Sequence, residues 1–246
     1  MIIIPAVDIK DGRCVRLLQG MMDRETVFSN DPTAMAQRWE ALGAELIHLV
    51  DLNGAVDKKP RNLPAIKSIL NGVKVPLQLG GGIRDMATIE NYIGIGVSRI
   101  VLGTEAIRNP DFVIQAARAF PERIVVGIDA RNGYVAIEGW TETTGITAID
   151  LARRFEDVGI AAINFTDIHR DGMQSGPNLE ATRQLAEAVS IPIVASGGVS
   201  TIDDIRNLLP LGPVGVNGVI TGKALYSGSL DLEEAIALVR SEGTPS

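Results

Sequence analysis

The sequence has almost none of the residues from which disulfide-linked, zinc-binding and nucleic-acid-binding proteins are built. Cys14 is the only cysteine, which excludes an internal disulfide and a zinc site based on cysteine pairs. The two histidines, His48 and His169, have no carboxylates or thiols around them at metal-ligand spacing. The net charge is −7 and basic residues form no tract, which argues against a nucleic-acid surface. We expect neither a metal nor a nucleic-acid partner.

Long hydrophobic runs are also missing. No apolar stretch approaches the roughly 20 residues that cross a bilayer, and the first residues, MIIIPAVD, lack the basic lead of a signal peptide. A cytoplasmic protein without a membrane partner is therefore expected. A hydrophobic content of 46% is ordinary for a globular chain, and the 246 residues suit one α/β barrel better than two small domains.

Short apolar runs alternate with longer amphipathic segments along the chain. The predicted strands cover residues 2–7, 45–51, 75–79, 99–103, 123–129, 161–167, 191–196 and 217–221. The predicted helices cover residues 33–43, 62–71, 86–94, 111–119, 147–158, 178–189, 202–209 and 231–241. The strand runs are nearly continuously apolar, which indicates parallel strands buried on both faces. Eight β–α pairs predict a closed (β/α)8 TIM barrel, a single domain over residues 1–246, with a doubly wound open sheet as the alternative.

Nearly the same half occurs twice in the chain. The offset between Asp51 in HLVDLNG and Asp167 in NFTDIHRDG also takes the glycine pair at 81–82 onto the pair at 197–198. Two matching sets of four strands favour closure into a symmetric ring. The predicted half-barrels cover approximately residues 1–120 and 121–241.

Matching carboxylates stand at the ends of the first and fifth predicted strands, Asp8 and Asp129. These strands face each other across an eight-stranded ring, and barrel enzymes keep their active sites at the C-terminal strand ends. Two acids on opposite sides of one cavity suit a reaction that needs a base on one face and an acid on the other. The alternative is that each Asp only caps the following turn, KDG or RNG, but the matched pair favours a catalytic role.

Glycine-rich turns follow two pairs of predicted strands. The third and seventh strands end in GGGIR and SGGV, and the fourth and eighth run into Gly103-Thr104 and Gly222-Lys223. Such turns let backbone N–H groups approach an anion, although glycine is also common in ordinary tight turns. Two equivalent pairs, with Arg84 and Lys223 to add charge, predict a long substrate with a phosphate at each end.

Several catalytic signatures are missing. There is no nucleophile elbow, Walker loop or dinucleotide-binding fingerprint, so cofactor-free acid–base chemistry remains. Trp140 follows a glycine beyond the fifth strand, where its indole would stack on a planar heterocycle or form a hydrophobic lid. His48 lies inside a predicted strand and is interpreted as a packed, hydrogen-bonded side chain. His169 is interpreted as an exposed loop residue.

Ten segments together resemble the ProFAR isomerase family of histidine biosynthesis, phosphoribosylformimino-5-aminoimidazole carboxamide ribotide isomerase. They are IPAVDIKDGRCVRL, HLVDLNGA, QLGGGIR, IVLGTEA, GIDARNG, EGW, FTDIHRDG, GPN, ASGGVS and ITGKALY. The resemblance runs from about residue 1 to 241. It implies a (β/α)8 barrel that converts an aminoaldose into an aminoketose by an Amadori rearrangement, with no cofactor or metal. The implied substrate is a small molecule with two phosphate-bearing ribosyl arms, and no obligatory protein partner is expected.

The resemblance also implies roles for individual residues. By motif position, Asp8 corresponds to the general base and Asp129 to the general acid. Thr166 corresponds to a threonine that positions the substrate or the acid, and Asp171 is a second candidate for the acid. The residues expected to bind the substrate and its phosphates are Arg16, Gly20, Gly81, Gly82, Arg84, Gly103, Thr104, Trp140, Gly176, Ser196, Gly197, Gly198, Gly222 and Lys223.

Three other functions are compatible with these motifs. The cyclase subunit of imidazole glycerol phosphate synthase is also a duplicated barrel with paired acids, but it needs a glutaminase partner. Bifunctional relatives that also isomerise phosphoribosylanthranilate carry Arg where this chain has Glu138, which argues against dual activity. A non-catalytic phosphometabolite sensor is the alternative outside the enzyme class. The chain departs from the usual family pattern at Asn53, Met21-Met22 and Met173, which affects loop contacts and not the proposed acids.

Overall fold

The computed structural model describes residues 1–18 and 20–242. These residues form twelve strands: β1 (Ile2–Lys10), β2 (Arg13–Leu18), β3 (Met21–Ser29), β4 (Ile47–Asp51), β5 (Leu77–Gly80), β6 (Arg99–Leu102), β7 (Ile124–Arg131), β8 (Tyr134–Ile137), β9 (Glu142–Thr147), β10 (Ala162–Asp167), β11 (Ile193–Ser196) and β12 (Val216–Thr221). Eight of them pair in parallel in the ring order β1, β4, β5, β6, β7, β10, β11, β12. The ring closes where β12 pairs with β1. The predicted closed (β/α)8 barrel is confirmed, and the open sheet is excluded.

Helices connect the parallel strands. They are α1 (Pro32–Ala41), α2 (Leu52–Asp57), α3 (Leu63–Gly72), α4 (Met86–Gly94), α5 (Thr104–Arg108), α6 (Pro110–Ala119), α7 (Ala148–Arg153), α8 (Leu179–Ala188), α9 (Ile202–Leu208), α10 (Lys223–Ser227), α11 (Leu232–Glu242) and a 3-10 helix (Leu209–Val214). In the described part of the chain, no helix is long and apolar enough to span a bilayer.

Local sequence signals set the helix boundaries. Asp31 accepts hydrogen bonds from two amides of the first turn of α1, and Pro32 supplies a pre-set φ at its first position. The predicted helix 147–158 is too long, since α7 ends at Arg153. The chain then passes through Asp157 at φ +58° and Gly159 at φ +89°, which an α-helix does not accommodate. The short helices α2, α5 and α10 were not predicted, because one or two turns carry no periodic apolar pattern.

The two faces of each barrel strand pack against different parts of the protein. In β10, Ile163 and Phe165 pack into the large core between the strands and the outer helices. Ala162 belongs instead to a small apolar cluster with Val125 and Ile220. Since side chains alternate along a strand, Asn164 and Thr166 share the face of Ala162 and point into the ring. The ring interior is therefore apolar near its N-terminal end and becomes polar towards the other end.

Two antiparallel hairpins extend the ring at its C-terminal end. β1 continues past Asp8 and pairs with β2, which pairs with β3, while β7 continues past Asp129 and pairs with β8, which pairs with β9. Their turns, Asp11-Gly12 and Asn132-Gly133, have positive φ at both residues, as a two-residue hairpin turn requires. Neither hairpin was predicted, since the same dipeptides also fit simple turns that follow the two acids.

A buried carboxylate organises the loop after β4. Asp51 accepts hydrogen bonds from the amides of Gly54, Arg61 and Asn62 at 2.8–3.0 Å and from the Asn62 side chain at 2.7 Å. The repeat reproduces the arrangement after β10. There Asp167 accepts from the Asn178 side chain at 2.6 Å.

The glycine turns press against these loops. Gly82 has φ +73°, and a Cβ atom built on it would collide with the carbonyl oxygen of Gly54. Gly198 has φ +87° and meets the carbonyl of Gly176 in the same way. Both positions therefore require glycine, for their backbone angle and for the close approach of a neighbouring backbone.

We expect Gly82→Ala to lower the free energy of unfolding by more than the backbone angle alone explains. Gly133→Ala is the matched control, because Gly133 has φ +83° but no atom within 4 Å of a built Cβ. The control should cost about 1–2 kcal/mol, and Gly82→Ala about 1–3 kcal/mol more through overpacking. Urea denaturation of both variants measures the difference. Equal losses would contradict a role for the Gly54 contact.

Candidate active site

A cavity of about 970 Å³ opens at the C-terminal end of the ring. Seventeen of the predicted site residues line it: Asp8, Arg16, Gly20, Gly81, Gly82, Arg84, Gly103, Thr104, Asp129, Trp140, Thr166, Asp171, Ser196, Gly197, Gly198, Gly222 and Lys223. Gly176 is not among the lining residues. Its amide donates to the Gly198 carbonyl at 3.0 Å, so it supports the glycine turn from behind.

Asp8 lies against a buried cation. Its Oδ2 accepts a hydrogen bond from Arg16 at 2.8 Å, and Arg16 also donates to the carbonyl of Ala6 at 2.7 Å. Burial raises the pKa of Asp8, while the charge and hydrogen bond of Arg16 lower it. The guanidinium packs so tightly on Gly222 that a Cβ there would collide with it. Arg16, predicted as a substrate contact, is thus also the counter-charge of this acid.

Asp129 has neutral hydrogen-bond donors instead. The indole Nε1 of Trp140 donates to its Oδ2 at 2.8 Å, and Thr166 is its neighbour across the β7–β10 pair. Burial raises the pKa of Asp129, and the hydrogen bonds from Trp140 and then Thr166 lower it. Side chains occupy Oδ2 of both Asp8 and Asp129, which favours a role other than turn capping.

The loop that carries Trp140 is folded sharply inwards. Glu138, Gly139 and Trp140 have φ of 54°, 63° and 72°, three successive left-handed residues that reverse the chain towards the end of β7. The indole then lies against Gly20 of the first hairpin, where a built Cβ would be 2.6 Å from a ring carbon. Trp140 therefore forms part of the cavity ceiling, in contact with the opposite hairpin.

A third carboxylate, Asp171, faces the same cavity. Burial raises its pKa to about 6, with Asp8 and Asp129 adding to the rise and Arg16 and Lys223 opposing it. Lys223 itself donates to the carbonyl of Gly172 at 2.7 Å. Within residues 1–18 and 20–242, no group of three or more His, Cys, Asp or Glu side chains is arranged to hold a metal ion.

The cation predicted for the first phosphate turn is already shared among carboxylates. Arg84 lies 3.4 Å from Glu105 and 3.5 Å from Glu138. Glu138 also contacts Arg108 at 2.9 Å and Lys58 at 3.1 Å. Burial raises the pKa of Glu138, but the nearby cations outweigh this effect and lower it overall. A phosphate at this turn would compete with two carboxylates for Arg84. No sequence pattern indicated this network, because its members come from four separate loops.

His48 differs from its interpretation as a hydrogen-bonded core residue. It lines the cavity, and its Nδ1 is buried without a hydrogen-bond partner in the protein. Burial and the nearby charge of Arg16 lower its pKa to about 4, so the imidazole is neutral at pH 7. The repeat offset takes His48 onto Asn164, another cavity residue that was not predicted. This correspondence between the two halves could have indicated that both side chains face the cavity.

Comparison with known proteins agrees with this geometry. A family model described as "Histidine biosynthesis protein" matches residues 2–231. A 1-(5-phosphoribosyl)-5-((5-phosphoribosylamino)methylideneamino) imidazole-4-carboxamide isomerase of Desulfatibacillum aliphaticivorans is 64% identical over 96% of this chain and 95% of its own. Proteins of the same name from Desulfosudis oleivorans (62%, covering 100% of this chain and 98% of the relative) and Geobacter sulfurreducens (57%, covering 99% and 100%) are also similar. The family resemblance predicted from the motifs is confirmed: the chain belongs to the histidine biosynthesis protein family.

Proposed function

We propose that this protein catalyses a cofactor-free Amadori rearrangement in L-histidine biosynthesis. It converts N-(5-phosphoribosylformimino)-5-aminoimidazole-4-carboxamide ribotide into its phosphoribulosyl form. The observation that carries this proposal is the pair of carboxylates, Asp8 and Asp129, on opposite strands of one cavity with different partners. The names of relatives that are 57–64% identical support the same isomerase activity. We propose that residues 1–246 act as one domain, in the cytoplasm.

The different surroundings assign different roles to the two acids. Arg16 stabilises the ionised form of Asp8, as a general base requires. Asp129 has the Trp140 indole in place of a cation, so burial favours its protonated form, as a general acid requires. Asp129 gives its proton to the furanose ring oxygen as the bond from that oxygen to C1′ breaks, which leaves a protonated imine. Asp8 then removes the C2′ proton, and the resulting enolamine tautomerises to the aminoketose.

The phosphates bind at the two sets of glycine turns. The turns after β5 and β6 lie opposite those after β11 and β12, which matches a substrate with a phosphate on each arm. Glu138 opposes activity on phosphoribosylanthranilate, because it already pairs with Arg84 and Arg108, cations that an anthranilate carboxylate in this region would need. Asp171 remains the second candidate for the acid, since its pKa of about 6 also keeps it partly protonated.

The direct test is a spectrophotometric assay of the purified chain with the formimino ribotide, in parallel with phosphoribosylanthranilate, and with no metal or cofactor added. We expect turnover of the first substrate alone. Turnover of both would show that Glu138 does not exclude the second activity. Turnover of neither would overturn the proposal and favour the cyclase or the sensor.

Asp8→Asn should lower kcat by about 10²–10⁴-fold, because it removes the base. Binding of the bisphosphorylated substrate should stay within about threefold in calorimetry, since the amide oxygen still accepts from Arg16. Asp157→Asn is the control, the same change at an exposed turn. Loss of binding in the Asp8 variant would instead indicate a structural role.

Trp140→Phe distinguishes the two candidate acids. The indole hydrogen bond lowers the pKa of Asp129, so its removal raises that pKa further. A general acid works below its pKa, and the alkaline limb of kcat/KM should therefore move to higher pH. Rates measured between pH 5 and 9 test this. An alkaline limb that stays in place would favour Asp171 as the acid.

A further inference from the structure

Asn164 is a polar residue low on the cavity wall. It lies two residues before Thr166 on β10, hence roughly 7 Å nearer the closed end of the ring. Its neighbours across the strand pairs are Gly127, which has no side chain, and the apolar Val194. The side chain therefore points into the cavity beneath the level of Asp129 and Thr166.

Asn164 is buried and unpaired. Only 4% of the residue is exposed, and both its Oδ1 and its Nδ2 lack a hydrogen-bond partner in the protein. The hydroxyl of Thr221, also a lining residue, is buried and unpaired in the same way. Burial of an unpaired amide is unfavourable, because its hydrogen bonds to water are lost and not replaced. Apolar side chains of similar size would fill this position at lower cost, so the amide is not explained by folding.

The chemistry of the position selects the group that the amide binds. A primary amide can both donate and accept hydrogen bonds. A hydroxyl can do the same, so it can bind either the Nδ2 or the Oδ1 atom. His48, at the equivalent position across the ring, is neutral at pH 7, and the small cluster below Asn164 is apolar. A neutral hydroxyl therefore suits this depth, whereas the charged phosphates belong at the glycine turns nearer the mouth.

The proposed reaction creates such a hydroxyl. When Asp129 protonates the furanose oxygen and its bond to C1′ breaks, the electron pair stays on that oxygen, which becomes the C4′ hydroxyl. A group that binds only this hydroxyl stabilises the opening sugar more than the closed ring, and so acts on kcat.

We propose that the Asn164 amide hydrogen-bonds a hydroxyl of the reacting sugar as its ring opens, an inference that rests on the function proposed above. Asn164 is thus a substrate-binding residue that distinguishes the open from the closed sugar. Its place in the fold is the counterpart, under the internal repeat, of His48.

The test is Asn164→Leu, which keeps a similar volume and removes both hydrogen-bonding groups. We expect kcat to fall about 10–100-fold, with KM changed less than threefold. The melting temperature should stay constant or rise, because an unpaired buried amide is replaced by an apolar group. Asn62→Leu is the matched control. Asn62 is as buried, at 6% exposed, but donates to Asp51 and accepts from the Gly12 amide, so its loss should lower the melting temperature by several degrees.

Asn164→Ala serves as a second variant if leucine does not fit, and the same fall in kcat is expected. A melting temperature lowered as in Asn62→Leu, by both substitutions, would overturn the inference in favour of a structural amide. A kcat/KM within twofold of the wild type would also overturn it. Wild-type protein that does not turn over the formimino ribotide would overturn the proposed function, and this inference with it. The wild-type control thus separates the two failures.

Discussion

Closure of the parallel sheet by the β12–β1 pairing is the constraint on which the site depends. In a closed ring of parallel strands, every strand ends at the same rim, and alternate side chains are forced inwards. Asp8 and Asp129 are far apart in the sequence, yet they face one cavity because β1 and β7 lie four strands apart in the ring. An open sheet with the same strands would place them on a flat edge without a common interior.

The internal repeat provides equivalent positions, and the hairpins give those positions different chemistry. Asp8 and Asp129 begin as the same residue at the same place in each half. The first hairpin then brings Arg16 to Asp8, and the loop between β8 and β9 brings Trp140 to Asp129. A cation favours the carboxylate, whereas a neutral donor in a buried setting leaves the acid more readily protonated. The different partners support the opposite roles that we propose for the two acids.

Polar residues near the barrel rim differ in whether the protein supplies their hydrogen-bond partners. Asp51 with Asn62, and Asp167 with Asn178, satisfy each other and hold the loops against which the glycine turns pack. Asn164 is equally removed from water but finds no partner within the protein. Because a protein gains nothing in stability from an unpaired buried amide, we assign the paired residues to the fold and propose that Asn164 serves the ligand.

The sequence by itself determined which segments form strands and helices, because apolar runs and capping residues are local signals. The alternation of these segments and the internal repeat were enough to predict the barrel. Nearly all the residues that the sequence indicated for the site do line the cavity, since parallel strands share one rim. The dipeptides Asp11-Gly12 and Asn132-Gly133 are typical of two-residue hairpin turns, but they were interpreted only as turns capped by the preceding acids. Tertiary structure alone decided that Arg84 is shared with Glu105 and Glu138, that Gly20 meets Trp140, and that Asn164 is unpaired. These contacts join residues from different loops, and no spacing along the chain specifies which side chains meet across a closed ring.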